Sequence, residues 1–295
     1  MTQGTTVLDA VAERVARGEA LTEADGAAVL ATTDLIAVGI LADEVRRRLH
    51  GPRTTFNRVL EVHVDAVPAS LPEKASYGEL RIVGRPRDPD IAVSAVRSAR
   101  ALDASAPLTG FSLVDLVALG PGPSLFQRLR DAGLQAVAEV PVGRSRDAAE
   151  VVRQARAAGL QVLRLTVHDL PDEDRVAVVC AARDLQAAVG GFRAFAPLPR
   201  SMSSAQPTTG YDDVKLVALA RVMATGIPSI QVDWQLYGPK LAQVALTMGA
   251  DDVDGVGADP GALGTRRSPA EEIRGNIRAA ALEPAERNGL FEAIG

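Results

Sequence analysis

Residues 132–168 read AGLQAVAEVPVGRSRDAAEVVRQARAAGLQVLRLTVH, and the order of patterns within this stretch decides the fold. Two aliphatic runs, 136–142 and 162–168, are short and rich in Val and Leu, as buried strands are. Between them 146–158 carries charged and apolar residues at helical spacing. Each strand follows an Ala-Gly-Leu step, AGLQAV at 132–137 and AGLQVL at 158–163, where glycine supplies the left-handed residue that ends a helix. The unit is strand, helix, strand, which predicts two parallel neighbours joined by a crossover helix.

The same rhythm extends in both directions. Further strands are expected at 58–64, 79–83, 107–111, 192–198, 229–234 and 252–256, which with the first two makes eight. Helices are expected at 90–102, 124–132, 172–189, 212–225 and 240–248, and MGADDV at 248–253 repeats the glycine step. Eight strand–helix units predict an α/β protein with a closed (β/α)8 TIM-type barrel. A doubly wound open sheet is the alternative, disfavoured because no G-x-G-x-x-G follows the first strand. Residues 6–50 read as N-terminal helices, with Thr22 and Asp25 approximating a capping box. The expected organisation is a helical extension over 1–55, a barrel over 56–260, and a helical segment over 261–295 in which a final helix pair packs on the barrel.

Composition narrows the function classes. The chain of 295 residues is 47% hydrophobic and 23% charged, with a net charge of −5, a balance that predicts a globular core and gives no electrostatic footprint for nucleic acid or an anionic membrane. The basic run Arg46–Arg47–Arg48 reads as the solvated face of a helix. The single cysteine, Cys180, excludes an internal disulfide and reads as a small core hydrophobe; a cytoplasmic setting is expected. No signal peptide or membrane span is expected.

In such barrels chemistry sits at the C-terminal strand ends. That rule selects Glu61, His63 and Asp65 after the first strand, Arg81, Gly84 and Arg85 after the second, and Thr109 and Ser112 after the third. It selects Glu139 and Arg144, then Thr166, His168 and Asp169, then Arg200. The seventh strand offers Gln231, Asp233 and Trp234, and the eighth Asp252 and Asp254. Catalytic roles fall on His63, His168, Glu61 and Asp233, since imidazoles and carboxylates exchange protons near neutrality. Substrate contacts fall on Arg85, Thr109, Glu139, Arg200, Gln231, Trp234 and Asp254. Trp234 either stacks on a flat substrate or packs the barrel mouth. The aspartates of GADDVDG (249–255) bind a cation or sugar hydroxyls, or else order a loop. His63 and His168 with nearby carboxylates are also candidates for a two-histidine metal site. The Gly-rich stretch DVDGVGADPG (252–261) is a weak phosphate-site candidate.

From residue 185 onward the sequence becomes specific. LQAAVGGFRAFAPLPR (185–200) and TTGYDDVKLVALARVMATGIPSIQVDWQLYGPKLAQVALTMGADDVDG (208–255) resemble aminofutalosine synthase, dehypoxanthine futalosine cyclase and the deazaflavin (FO) synthase subunits, the radical-SAM family of menaquinone biosynthesis. DLIAVGILADEVRRRLHG (34–51) and ELRIVG (79–84) are similar to the same family. The resemblance implies a radical-SAM-like barrel and a C-x3-C-x2-C loop after the first strand, whose three thiolates hold a four-iron cluster that binds S-adenosylmethionine. The corresponding stretch, EVHVDAVPASLPEKASYG (61–78), contains no cysteine. The family's glycine pair after strand two stands here as Gly84–Arg85, and its Gly-rich acidic motif after strand four as AEVPVGRSRD (138–147). No iron–sulfur cluster and no S-adenosylmethionine are therefore expected as cofactors.

Three functions are compatible with this reading. The first is a cluster-less member of the futalosine route that binds a small aromatic or purine-nucleoside-like substrate, with Arg85, Arg144 or Arg200 clamping a carboxylate. The second is a non-catalytic partner of a cysteine-bearing radical-SAM paralogue. The third is a metal-dependent lyase or hydrolase on the same barrel.

Overall fold

The structure, a computed structural model, describes residues 3–73, 75–120, 123–144, 147–170, 175–201, 210–258 and 270–294. Eight parallel strand positions close into a barrel. In order around it stand β1 (Arg53–His63), β2 (Glu79–Val83), β3 (Leu108–Ser112) and β4 (Ala136–Pro141). They are followed by the split strand β5/β6 (Gln161–Val162 and Arg164–Val167), β7 (Ala194–Pro199), β8 (Ser229–Asp233) and β9 (Asp252–Gly257). Pairing of β9 with β1 completes the ring. The expected strands are all present; β1 begins five residues earlier than the apolar pattern indicated, because Thr54 and Phe56 are buried in its lower half.

The helices α1 (Gln3–Ala16), α2 (Glu23–Ala31) and α3 (Leu35–His50) precede the barrel. The capping box of α2 is formed: Thr22 Oγ1 accepts from Asp25 N–H at 3.2 Å and Asp25 accepts from Thr22 N–H at 2.9 Å. Around the barrel run α4 (Pro89–Leu102), the short α5 (Leu113–Ala118), α6 (Pro123–Ala132), α7 (Ala148–Ala157) and α8 (Arg175–Val189). They are completed by α9 (Gly210–Met223) and α10 (Trp234–Leu246). Aliphatic side chains fill the layer between strands and helices, and Cys180 lies there on α8, 5% exposed. No helix among the described residues is long and apolar enough to cross a membrane.

Three elements depart from the sequence reading. The final helix pair is one helix, α11 (Ala270–Ala279), followed by a strand, β10 (Glu283–Arg287), that pairs in parallel with Arg53–Asn57 below the point where β2 joins β1. Its sequence EPAER carries no strand signature. Helix α10 begins six residues earlier than expected, since Asp233 caps its N-terminus and the turn at Gly238 (φ 76°) joins two helical pieces. Arg46 is fully buried, bonded to Asp43 at 2.8 Å and to the Gly51 carbonyl at 3.1 Å, so only Arg47 and Arg48 form a solvated face.

The inside of the barrel is ionic rather than aliphatic. Asp254 accepts from Arg164 at 2.7 Å, from Arg81 at 3.1 Å and from Asn57 at 3.2 Å. Glu79 takes both ends of the Arg81 guanidinium, at 2.7 and 2.8 Å, and is also bonded by Asn57 and Thr109. One layer lower, Asp252 receives Arg287 of β10 in a two-pronged bond at 2.6 Å on both arms, with Gln231 at 2.6 Å and Thr55 alongside. Burial alone would push the Glu79 and Asp254 carboxyls up; the surrounding guanidiniums outweigh it and hold both below the ordinary carboxylate range. Three carboxylates thus face three guanidiniums, each buried group compensated by bidentate or shared bonds.

This arrangement makes β10 part of the barrel floor. Replacing Arg287 by Ala strands Asp252 as a buried unpaired charge, a loss of about 3 to 5 kcal/mol, whereas the same change at exposed Arg47 costs under about 1 kcal/mol. Urea unfolding of the two variants against the parent checks the difference.

Candidate functional site

Strand register sorts the polar residues by height. Gln231 stands opposite Asp252, and Asp233 opposite Asp254; Glu61 stands opposite Arg81, and Ser112 opposite Glu139. Residues of the upper layer open onto a cavity of about 300 Å3 at the C-terminal mouth, lined by Glu61, Arg81, Ser112, Glu139, Arg164 and His168 with Arg200 and, at the rim, Arg85. Position at the strand ends puts these groups where a parallel barrel exposes side chains to solvent without losing the rigid backbone beneath them.

At the centre is a carboxylate between two cationic groups. His168 Nε2 lies 2.7 Å from Glu139 Oε1, and the Arg200 guanidinium forms an ion pair with Glu139 Oε2 at 3.1 Å. Because an ionised carboxylate only accepts, Nε2 carries the proton of this bond, and the ring's Nδ1 is the other exchangeable position. Burial alone would raise the Glu139 carboxyl; the His168 hydrogen bond and then the Arg200 charge override it and hold it at about 2. Arg200 also reaches Asp233 at 3.5 Å. Asp233 is further fixed by capping α10, accepting from Gln235 N–H at 2.9 Å and Leu236 N–H at 3.0 Å. A side chain on Gly255 (φ 69°) would come within 2.8 Å of its Oδ1, so glycine is required for the carboxylate to sit there.

Glu61 behaves in the opposite way. Its side chain reaches solvent at the mouth, but surrounding protein disfavours the charged form, and Asp233 and Asp254 add to this against the opposing pull of Arg81. Its carboxyl is therefore raised above the ordinary range. Phe111 on the same rim is a non-glycine residue at φ 65°. Backbone held in this region costs on the order of 1 kcal/mol and concentrates at functional sites.

The remaining candidates fall elsewhere. His63 lies off this cavity: its Nδ1 accepts from Asp65 N–H at 3.2 Å, and its ring packs against Gly84, where an added Cβ would come within 2.6 Å of it. Glycine at position 84 leaves room for that ring, and His63 is not among the residues lining the cavity that holds His168. Thr109, Gln231 and Asp254 lie below the mouth within the ionic lattice, and Trp234 is buried, 3% exposed, in the apolar layer rather than presented for stacking. All three aspartates of GADDVDG are committed to protein: Asp251 to Arg221 and to Ile230 N–H at 2.8 Å, Asp252 and Asp254 as described. Arg144 pairs with Asp169, and Arg85 with Asp115 at 3.4 Å, both on the exposed rim. The phosphate-site stretch beyond Ala258 lies outside the described residues. Two charged lining residues, Arg164 and Asp115, escaped the strand-end rule; an arginine inside the apolar run VLRLTV is itself a signal of a buried partner.

The residues present do not fit a thiolate-held cluster. The β1–β2 connection offers hydroxyl and carboxylate groups but no cysteine, and Cys180 is remote on α8. Among the described residues no three His, Cys, Asp or Glu side chains are grouped to hold a metal ion.

The family model described as the CofH/MqnC C-terminal region matches residues 193–294. Aminodeoxyfutalosine synthase of Streptomyces coelicolor is 28% identical, over 96% of this chain and 92% of that protein. The 5-amino-6-(D-ribitylamino)uracil–L-tyrosine 4-hydroxyphenyl transferase of Methanococcoides burtonii is 32% identical over 49% of this chain, and the match spans 46% of that protein, about half its length. In fold the chain resembles methylornithine synthase (TM-score 0.66, 14% identity, 93% of this chain and 97% of that one). It also resembles the hydrogenase maturase HydG (TM-score 0.63, 15% identity, 95% and 75%).

The two mouth carboxylates predict opposite pH effects. Glu139, depressed in the folded state, contributes stability that is present above the unfolded carboxyl pKa and lost as pH falls toward about 2. Glu61, raised, costs stability once pH exceeds the unfolded value. Glu139→Gln is expected to flatten the acid limb of stability, and Glu61→Gln to be more stable than the parent at neutral pH, the gain vanishing below about pH 4. Urea midpoints across pH 2 to 8 read both.

Proposed function

We propose, for a chain that belongs to the radical-SAM family of menaquinone-pathway and FO-synthase-like enzymes, that the barrel mouth binds a small aromatic or purine-nucleoside-like substrate of the futalosine route without radical chemistry. The observation that carries this reading is the convergence of Glu61, Glu139, His168 and Arg200 on one cavity above a β1–β2 loop without thiolates. Reductive cleavage of a sulfonium needs an electron from a low-potential cluster bound to it, and no side chain supplies that. What the mouth does hold suits polar chemistry.

In this reading Arg200, already paired to Glu139 and Asp233, presents its guanidinium to a substrate carboxylate or hydroxyl, with Arg85 at the rim as a second cation. His168, its Nε2–H fixed by Glu139, accepts or returns a proton through Nδ1. Glu61, with its raised carboxyl, serves as the acid facing it across the mouth. Glu61→Gln stabilisation, if seen, fits a group retained for function at the expense of stability. His63, Asp233 and Trp234 have positioning roles here. A second reading, a non-catalytic partner of a cysteine-bearing paralogue, is favoured by Ile36 and Ile40, one turn apart on α3 and 77% and 56% exposed. Co-purification with such a paralogue would support it.

Calorimetry with futalosine-route intermediates and aromatic carboxylates tests the first reading. At least one is expected to bind, with Arg200→Gln weakening it by tenfold or more and Arg144→Gln leaving it unchanged. No binding across the panel, or binding indifferent to Arg200, contradicts the assignment.

A further inference from the structure

An apolar cavity larger than the mouth lies elsewhere among the described residues. About 490 Å3 in volume, it is bounded by the last turn of α1 and the chain after it, the last turn of α3, and the turn from α9 into β8. That turn enters β8 at its N-terminal end, so the cavity sits at the barrel floor, opposite the strand ends that form the mouth. Val15, Val45, Leu49, Val222, Ile227 and Pro228 supply most of its walls. Leu49 is 58% exposed at its edge, an apolar surface left open to water.

The polar groups along the wall are unequal. Glu19 is taken by Arg17 at 2.6 Å, and Arg221 by Asp251 and by the Gly249 carbonyl at 2.7 Å. His50 donates from Nε2 to the Pro228 carbonyl at 2.8 Å, with Asp251 at 3.3 Å from the same nitrogen, which commits its N–H to protein. Arg48 lines the cavity as well, and among the described residues it forms no ion pair or hydrogen bond. An unpaired guanidinium at the wall of an otherwise apolar hollow is complementary to one ligand chemistry: an apolar body ending in a single carboxylate.

We propose that the barrel floor is a second binding site, distinct from the mouth, for a small amphipathic carboxylate whose apolar part fills the hollow between α1, α3 and the α9–β8 turn and whose carboxylate meets Arg48. The volume is that of an ordinary small-molecule pocket and suits a medium-length aliphatic acid. The site does not depend on the function proposed for the mouth, since none of its lining residues is shared with the mouth cavity.

Octanoate, octanol and acetate, titrated calorimetrically into the full chain, test the proposal. Octanoate is expected to bind, with octanol and acetate each at least tenfold weaker. Arg48→Glu is expected to weaken octanoate at least tenfold and leave octanol unchanged; Arg48 is exposed, so folding is preserved, and unfolding midpoints verify that. Leu49→Glu is expected to act in the same direction, and Arg200→Gln at the mouth to have no effect. Absence of octanoate binding overturns the proposal. So does equal binding of octanol and octanoate, or loss of octanoate binding in Arg200→Gln rather than Arg48→Glu. Sedimentation supplies a separate arm: a dimer in the parent that Leu49→Glu dissolves would assign the hollow to a second copy and overturn it as well.

Discussion

Charge neutralisation inside the barrel is the constraint on which the rest of the structure depends. Glu79, Asp252 and Asp254 are carboxylates with no access to water, and Arg81, Arg164 and Arg287 are the guanidiniums that make their burial tolerable. Taking such ions from water costs several kcal/mol each unless geometry returns it. Here the bonds come from β1, β2, β3, β6, β8, β9 and β10, so the lattice ties nearly every stave of the barrel to its neighbours. It also explains why a strand as unpromising as EPAER lies beside β1: it delivers Arg287 to Asp252.

The same lattice is the floor on which the mouth stands. Arg81 and Arg164 belong to both, bonding Asp254 below while lining the cavity above. Their charge reaches Glu61 and Glu139, but with different results. Glu139 has a hydrogen-bonded imidazole and a guanidinium of its own and is held ionised. Glu61 is raised chiefly by surrounding protein, with Asp233 and Asp254 adding to it against the opposing pull of Arg81. Two carboxyls of one cavity whose environments drive them apart are a common basis for acid and base assignment, and this contrast, more than any single residue, supports the polar chemistry proposed for the mouth.

How much of this was legible in the sequence depends on what each residue's neighbours in the chain reveal. Aliphatic runs and helix-ending glycines located the eight barrel strands closely, since both are local signals. The strand-end rule found Glu61, Glu139, His168 and Arg200. It could not rank residues by height: Gln231 and Asp233 share a strand face, yet one belongs to the floor and the other to the mouth, a distinction made by register against β9. It likewise read Trp234 as a strand-end residue, whereas Asp233 caps a helix that begins there and the ring lies buried. The aspartates of GADDVDG looked like a ligand cluster because their arginine partners lie about 30 or more residues away. Arg46 was hidden by its neighbours for the same reason: one arginine in a run of three turns inward to meet Asp43 and a backbone carbonyl.

The β1–β2 connection is where family resemblance and chemistry diverge. Residues 193–294 match the CofH/MqnC C-terminal region and nearly the whole chain is similar to aminodeoxyfutalosine synthase, while the loop itself brings no thiolate to the mouth. The most direct measurement is anaerobic incubation of the purified chain with ferrous iron, sulfide, a low-potential reductant and S-adenosylmethionine, followed by quantitation of bound iron and of 5′-deoxyadenosine. The account predicts no stoichiometric cluster and no 5′-deoxyadenosine. A bound four-iron centre with turnover of the sulfonium would contradict it.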